Sequence, residues 1–96
     1  MYTFIGGRGT GKTYKLLEVA NETKGVIICS NPRAMREKAR SWGFTEIKDF
    51  LSYQEKESIT MDTNSLYIDN LEKFIQEDMG WRLKGYTYTI EEDENR

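Results

Sequence analysis

Apolar and aromatic residues in this chain form short runs that alternate with segments of helical periodicity. Four runs have the length and composition of β-strands: Tyr2–Ile5, Val26–Cys29, Ser65–Ile68 and Tyr86–Ile90. Three segments repeat their apolar residues every three or four positions, as amphipathic helices do: Lys12 to about Thr23, Pro32 to Gly43, and Leu71 to Gly80. The order β-α-β-α-β-α-β predicts a three-layer α-β-α fold of the α/β class, with a small, mostly parallel sheet of about four strands.

Residues with special backbone preferences mark the predicted ends of the helices. Lys24 and Gly25 predict a basic last turn followed by a glycine stop. Asn31 and Pro32 supply a capping side chain and a proline at the first helical position, so the second helix is expected to begin there.

The middle of the chain gives a less definite pattern. Phe44–Ile47 is compatible with a brief extended piece, and Ser52–Glu57 with a short helix. The two tryptophans, Trp42 and Trp81, are most simply explained as anchors of the core.

The loop after the first predicted strand carries the clearest chemical signal. Its sequence, GGRGTGKT, fits the phosphate-binding pattern G-x-x-x-x-G-K-[ST] between a strand and a helix. Glycines let several backbone N–H groups point at one anion, the lysine adds a cation, and the helix directs its positive end at the phosphates. The predicted binding residues are Gly6, Gly7, Arg8, Gly9, Thr10, Gly11, Lys12, Thr13 and the adjacent Tyr14.

With this loop the chain resembles the P-loop NTPase superfamily, in which the loop is called Walker A. The second signature of that superfamily, Walker B, is an apolar strand ending in aspartate, and LYIDN at Leu66–Asn70 matches it. The resemblance implies that ATP or another nucleoside triphosphate binds with Mg²⁺, which Thr13 and, directly or through water, Asp69 would hold. The alternative for Asp69 is that strands often end at an aspartate simply because a turn starts there.

One strand, Val26–Cys29, lies between the two signatures, which is typical of the additional-strand division that includes AAA-type, RecA-like and packaging-motor ATPases. That resemblance implies the spatial order 1-4-3-2, with Tyr86–Ile90 in the centre. The alternation of tyrosine and threonine in this last strand fits a central position poorly. An edge strand, or a hairpin with Trp81–Leu83, is the alternative.

The residue after Asp69 departs from the pattern of the hydrolysing members. They usually place a glutamate there to orient or deprotonate the attacking water, whereas this chain has Asn70. An amide holds a water but cannot accept its proton. Glu72 is a substitute base, or its carboxylate simply suits the positive end of the following helix. The candidate catalytic residues are therefore Lys12, Arg8, Asn70 and Glu72.

Arg8 lies inside the loop itself. Phage-type DNA-packaging motors and large terminase subunits carry similar loops, and that resemblance implies an arginine close to the γ-phosphate. The alternative for Arg8 is a solvent-exposed loop side chain. In its small size and the style of its loop, this chain also resembles virus- or phage-encoded P-loop proteins.

Charge is distributed unevenly along the chain. Its net charge is −2, with nine Lys/Arg and four Asp/Glu in residues 1–48 and five against twelve in residues 49–96. This asymmetry would steer an anionic ligand or favour head-to-tail pairing of copies. The alternative is a solvated surface with an acidic tail at residues 91–96, following a single nucleotide-binding domain at residues 1–90.

The cysteine and histidine counts exclude several kinds of site. Cys29 is the only cysteine and there is no histidine, so an internal disulfide, a Cys/His zinc site and a histidine base are all excluded. No apolar run is long enough to span a membrane, and no secretory signal pattern follows Met1. We therefore expect a cytoplasmic protein without a membrane partner, and we expect Cys29 to act as a small buried hydrophobe.

The second predicted helix carries four cations: Arg33, Arg36, Lys38 and Arg40. The three arginines share one face, which would touch nucleic acid or a neighbouring subunit's nucleotide, or would simply be solvated. Tyr14 would pack near the base or ribose of the nucleotide, or against the core of the protein.

Three functions fit these residues. The first is a minimal ATP-binding module whose ATPase activity is weak or depends on assembly into a homo-oligomer or larger complex. The second is a non-hydrolysing regulatory or adaptor protein whose conformation reports the bound nucleotide, which Asn70 favours. The third is a small nucleoside or nucleotide kinase, although only Arg82 and Arg96 follow Asp69, where a kinase lid usually supplies several arginines.

Overall fold

The computed structural model describes residues 4–5, 9, 11–60, 63, 65–85 and 87 of the 96-residue chain. Its elements follow one another as α1 (Lys12–Thr23), β1 (Val26–Cys29), α2 (Pro32–Ser41), β2 (Asp49–Ser52), a 3-10 helix (Tyr53–Ser58), β3 (Leu66–Ile68), α3 (Leu71–Met79) and a 3-10 turn (Gly80–Arg82). The three strands form one parallel sheet in the order β2-β1-β3, flanked by helices. The predicted α/β fold is confirmed.

β1 is the central strand, and it pairs in parallel with both of its neighbours. All four of its residues are buried, as a continuous apolar run in a parallel sheet requires. Parallel pairing brings the ends of the three strands, Cys29, Ser52 and Ile68, to the same side of the sheet. We call this side the carboxyl edge.

The core lies against one face of the sheet. Ile27 and Cys29 of β1 pack there with apolar residues of the two longest helices: Leu16, Leu17 and Ala20 from α1, and Ala39 from α2. Side chains alternate along a strand, so Val26 and Ile28 point to the opposite face. α3 is attached more loosely, because none of its residues is fully buried.

The helix boundaries follow local rules with one difference from expectation. Asn31 caps α2, its side-chain oxygen accepting a hydrogen bond from the Ala34 N–H at 3.1 Å, and Pro32 is the first helical residue. The predicted basic last turn of α1 is wrong. Lys24 lies beyond the helix and is itself the left-handed capping residue, with φ of 53°, and Gly25 follows it.

The segment between α2 and β3 differs most from the sequence prediction. Phe44–Ile47 is not a strand, and the strand that pairs with β1 is Asp49–Ser52. β2 has polar residues at both ends, so its sequence lacks the continuous apolar run of a buried parallel strand. Phe50 is the one residue of this strand that is buried. The short helix predicted from Ser52 is present as the 3-10 helix.

Other predictions for strands and aromatic residues have mixed outcomes. Phe4 and Ile5 belong to no strand, and the rest of the predicted strand Tyr2–Ile5 lies outside the described residues. Of the predicted strand Tyr86–Ile90, only Thr87 is among the described residues. Residues 91–96 and the side chain of Trp81 also lie outside the described part of the chain. Trp42 is not a core anchor, since 42% of it is exposed.

No helix in the described part of the chain is long and apolar enough to cross a membrane.

Gly25, which directly precedes β1, provides a test of how closely this segment packs against β3 and the residue before it. We expect Gly25→Ala to lower the free energy of unfolding by about 1–3 kcal/mol, since overpacking forces neighbours to move. A Cβ atom at this position would lie 2.7 Å from the backbone oxygen of Ser65 and 2.7 Å from the ring of Tyr67. Urea unfolding measures the change. Gly85→Ala is the matched control, because a Cβ atom there meets nothing within 4 Å; equal losses in the two variants would contradict this account.

Candidate functional site

Thr13 and Asp69 meet at the carboxyl edge of the sheet. Thr13 lies in the first turn of α1, and Asp69 directly follows β3, 56 residues later in the chain. The Thr13 hydroxyl donates a hydrogen bond to Oδ1 of Asp69 at 3.3 Å. The Asp69 N–H donates to the carbonyl oxygen of Ile28 at 2.9 Å. The backbone N–H of Asp69 is therefore still paired with β1, while the Asp69 side chain is directed at α1.

The beginning of α1 points its backbone donors towards the same edge. Gly11 precedes the helix in a left-handed conformation, with φ of 77°, and offers no side chain to cap it. The first N–H groups of a helix have no carbonyl partner within it and carry the positive end of its dipole. Lys12 is the first helical residue and is half-buried. Helix, lysine and hydroxyl together make this edge suited to an anion.

Part of the predicted phosphate loop can be located. Gly9 shares the left-handed backbone of Gly11, with φ of 77°, a conformation that favours glycine. Gly6, Gly7, Arg8 and Thr10 lie outside the described residues. The predicted role of Arg8 therefore stays a prediction.

The turn from β3 into α3 depends on Asn70. Its backbone is left-handed, with φ of 64°, and its side-chain oxygen accepts a hydrogen bond from the Lys73 N–H at 3.1 Å. Asn70 thus caps α3, and its amide oxygen is committed to that cap. Glu72 lies exposed in the first turn of α3, where a carboxylate suits the helix N-terminus.

A buried tyrosine, which the sequence analysis did not identify, stands behind Asp69. The Tyr53 hydroxyl donates to the backbone oxygen of Asp69 at 2.7 Å and lies 3.4 Å from that of Asn70. Burial, and secondarily the charge of Asp69, raise the pKa of Tyr53 to about 12. The phenol therefore keeps its proton and remains a donor. Recognising β2 in the sequence would have identified this residue, because Tyr53 directly follows β2 and therefore lies at the carboxyl edge.

Cys29 lies at the same edge and is fully buried. Its thiol lies 3.9 Å from the carbonyl oxygen of Leu51. Burial first, and the nearby Asp69 charge second, raise the pKa of Cys29 to about 11. The thiol is thus protonated at neutral pH, which agrees with the expected role of a small hydrophobe.

The side chain of Tyr14 lies in an aromatic cluster. Its ring centroid is 5.0 Å from that of Trp42 and 5.2 Å from that of Phe44. Tyr14 remains 40% exposed, so it packs in an aromatic cluster at the surface rather than in the buried core.

The arginine face of α2 is partly used by the protein itself. Arg36 lies 3.2 Å from Oδ1 of Asp49 and over the ring of Phe50, at 4.9 Å from its centroid. Arg33 lies 3.9 Å from Glu37 in the next turn of α2. The Arg36 contacts tie α2 to β2, whereas the ion pair of Arg33 lies within α2 and leaves the Arg33 side chain 91% exposed.

The oxygen atoms at this edge also indicate which cation would fit. Within the described ranges, no group of three acidic, cysteine or histidine side chains could enclose a metal. A hydroxyl and a single carboxylate suit Mg²⁺, which usually takes one or two protein oxygens and completes its shell with water and phosphate. The donor set at Thr13 and Asp69 therefore fits a magnesium ion that arrives with a phosphate ligand.

Asn70 allows a graded test of the turn. Asn70→Gly is expected to cost only a few tenths of a kcal/mol, because glycine accepts both the left-handed backbone and the capping position. Asn70→Ala should cost about 1–3 kcal/mol, because it loses the cap and strains the backbone. Asn70→Asp keeps both features and should resemble the wild type. Chemical denaturation ranks the three variants, and an Ala variant as stable as the Gly variant would refute the assignment.

No protein-family model matches this chain, and neither a curated protein nor a solved structure shows significant similarity to it. Its function must therefore be argued from the residues and geometry described above.

Proposed function

We propose that this chain binds a nucleoside triphosphate with Mg²⁺ at the carboxyl edge of its sheet. The observation that carries the proposal is the contact of 3.3 Å between the Thr13 hydroxyl and the Asp69 carboxylate. The two residues belong to separate sequence signatures, 56 residues apart in the chain. By the resemblance to P-loop NTPases, both would hold the cation that accompanies the phosphates. The proposal includes the resemblance to P-loop NTPases, with ATP as the first ligand to test.

Each residue of the site has a distinct part in this proposal. The loop Gly6–Thr13 and the first N–H groups of α1 hold the phosphates, and Lys12 contributes a cation to the β- and γ-phosphates. Thr13 and Asp69 hold the magnesium ion on the side of the sheet. Magnesium, when bound, neutralises phosphate charge and fixes the geometry of the triphosphate.

Asn70 favours nucleotide binding over rapid hydrolysis. At this position its amide oxygen is occupied by the cap of α3, and an amide cannot take a proton from water. Glu72 is in the first helical turn, where the helix dipole accounts for a carboxylate without a catalytic role. The second candidate function is accordingly a non-hydrolysing regulator whose α3 responds to the bound nucleotide. Weak or assembly-dependent ATPase activity would require a base other than Asn70 and Glu72, from another part of the chain or from another subunit.

Calorimetric titration with ATP tests nucleotide binding and the part of Lys12. The wild type should bind ATP in the presence of Mg²⁺, and more tightly than ADP. Lys12→Ala should weaken binding by about tenfold to a hundredfold, the loss expected when a charge-assisted hydrogen bond to phosphate is removed. Lys15→Ala is the matched control, since Lys15 is exposed on the same helix. If ATP produced no binding signal with the wild type, the proposed function would be wrong.

A second titration isolates the magnesium site. Thr13→Val and Asp69→Asn remove one magnesium ligand each with little change of shape, so they should weaken ATP binding only when Mg²⁺ is present. In Mg²⁺ a loss of about tenfold is expected for each variant. In EDTA, Thr13→Val should bind ATP like the wild type, and Asp69→Asn at least as tightly, because a carboxylate that repels the phosphates is gone. Matched controls at the other end of the sheet are Thr23→Val and Asp49→Asn. Equal losses with and without Mg²⁺ would argue against a metal between these side chains.

A further inference from the structure

The backbone that carries Asp69 has little support from regular structure. β3 contains only three residues, and the left-handed Asn70 follows Asp69 directly. The Asp69 N–H is bonded to the Ile28 carbonyl, but the Asp69 carbonyl lies beyond the strand pairing and before the helix. Its partner is the hydroxyl of Tyr53, at 2.7 Å.

Tyr53 is itself rigidly placed. It immediately follows β2, on the far side of the central strand from β3, and only 3% of it is exposed. Its ring meets that of Phe74 edge-on, with 5.4 Å between centroids. The start of its 3-10 helix is fixed by the Ser52 N–H, which donates to the Glu55 carboxylate at 2.8 Å. Tyr53 thus extends from the end of β2, past the end of β1, to the turn after β3.

We propose that Tyr53 is a positioning residue for the magnesium site. Its hydroxyl holds the Asp69 backbone in place, so that the Asp69 carboxylate stays directed at Thr13 without Tyr53 touching the ligand. This inference rests on the proposed function. Removing the hydroxyl would leave the Asp69 carbonyl without its buried donor and would let the turn relax. The preorganisation of the magnesium ligands would then be lost, while Lys12 and the first N–H groups of α1 would keep their places.

Tyr53→Phe tests this role through the magnesium dependence of ATP binding. At fixed ATP, the Mg²⁺ concentration at half-saturation should rise about three- to tenfold, as expected for one lost hydrogen bond. The ATP affinity in EDTA should equal that of the wild type. Thermal unfolding shows whether the variant is folded at the assay temperature.

Tyr67→Phe is the matched control. Tyr67 lies on β3 itself, and its hydroxyl is 2.9 Å from that of Thr23, at the end of α1 away from the site. This variant also loses one tyrosine hydroxyl and its hydrogen bond, but it should leave the Mg²⁺ midpoint unchanged. In an Asp69→Asn background, Tyr53→Phe should have no further effect on Mg²⁺, because the side chain that it positions is no longer a strong ligand.

A second measurement does not depend on the stability of a variant. In protein labelled with 3-fluorotyrosine, the ¹⁹F resonance of Tyr53 should shift when ATP and Mg²⁺ are added together and much less with ATP in EDTA. An unchanged Tyr53 resonance, or an unchanged Mg²⁺ midpoint in Tyr53→Phe, would overturn the positioning role while nucleotide binding stood. Equal weakening in Mg²⁺ and EDTA would overturn it in favour of a general structural role. Absence of ATP binding by the wild type would overturn both proposals.

Discussion

Parallel pairing on both sides of β1 is the constraint on which the candidate site depends. Because β3 runs beside β1, the ladder continues one step beyond β3 through the hydrogen bond from Asp69 to Ile28. Because α1 packs on β1 through Leu17, the residue four positions earlier, Thr13, lies on the same helix face and is directed at the same edge. The contact between Thr13 and Asp69 is thus a consequence of how helix and sheet pack. The same geometry turns Tyr14, one position later, towards Trp42 and Phe44.

The turn after β3 explains why glutamate is absent at position 70. The backbone there is left-handed, which asparagine, aspartate and glycine tolerate better than other residues. The side chain must also be short enough to reach the Lys73 N–H and cap α3. Glutamate meets neither demand well. In this chain the left-handed backbone and the cap of α3 together account for asparagine beside the proposed magnesium ligand.

Sequence patterns predicted the parts of the fold that follow local rules. The apolar run Val26–Cys29 and the cap at Asn31 are local signals, and both are present in the structure. The signatures at Thr13 and Asp69 also predicted which two side chains would meet. β2 was missed because Asp49 and Ser52 break the apolar pattern of a strand that, among the described residues, pairs only with β1. Tyr53 could not be found without β2, since its importance comes from a contact 16 residues away in the chain.

Asp69 is linked to two parts of the molecule that differ in how firmly they are held. Tyr53 ties it to the 3-10 helix after β2, and Asn70 ties it to α3. α3 buries no residue fully, and its link to the 3-10 helix includes the half-exposed ion pair of Lys56 and Asp78, a kind of contact that contributes about 0–1 kcal/mol. Moving α3 therefore costs less than moving the sheet. If a ligand contacts the Asp69 carboxylate, α3 is the element that can respond. This is consistent with the proposed nucleotide-reporting role, because Asn70, the residue after Asp69, cannot act as a base.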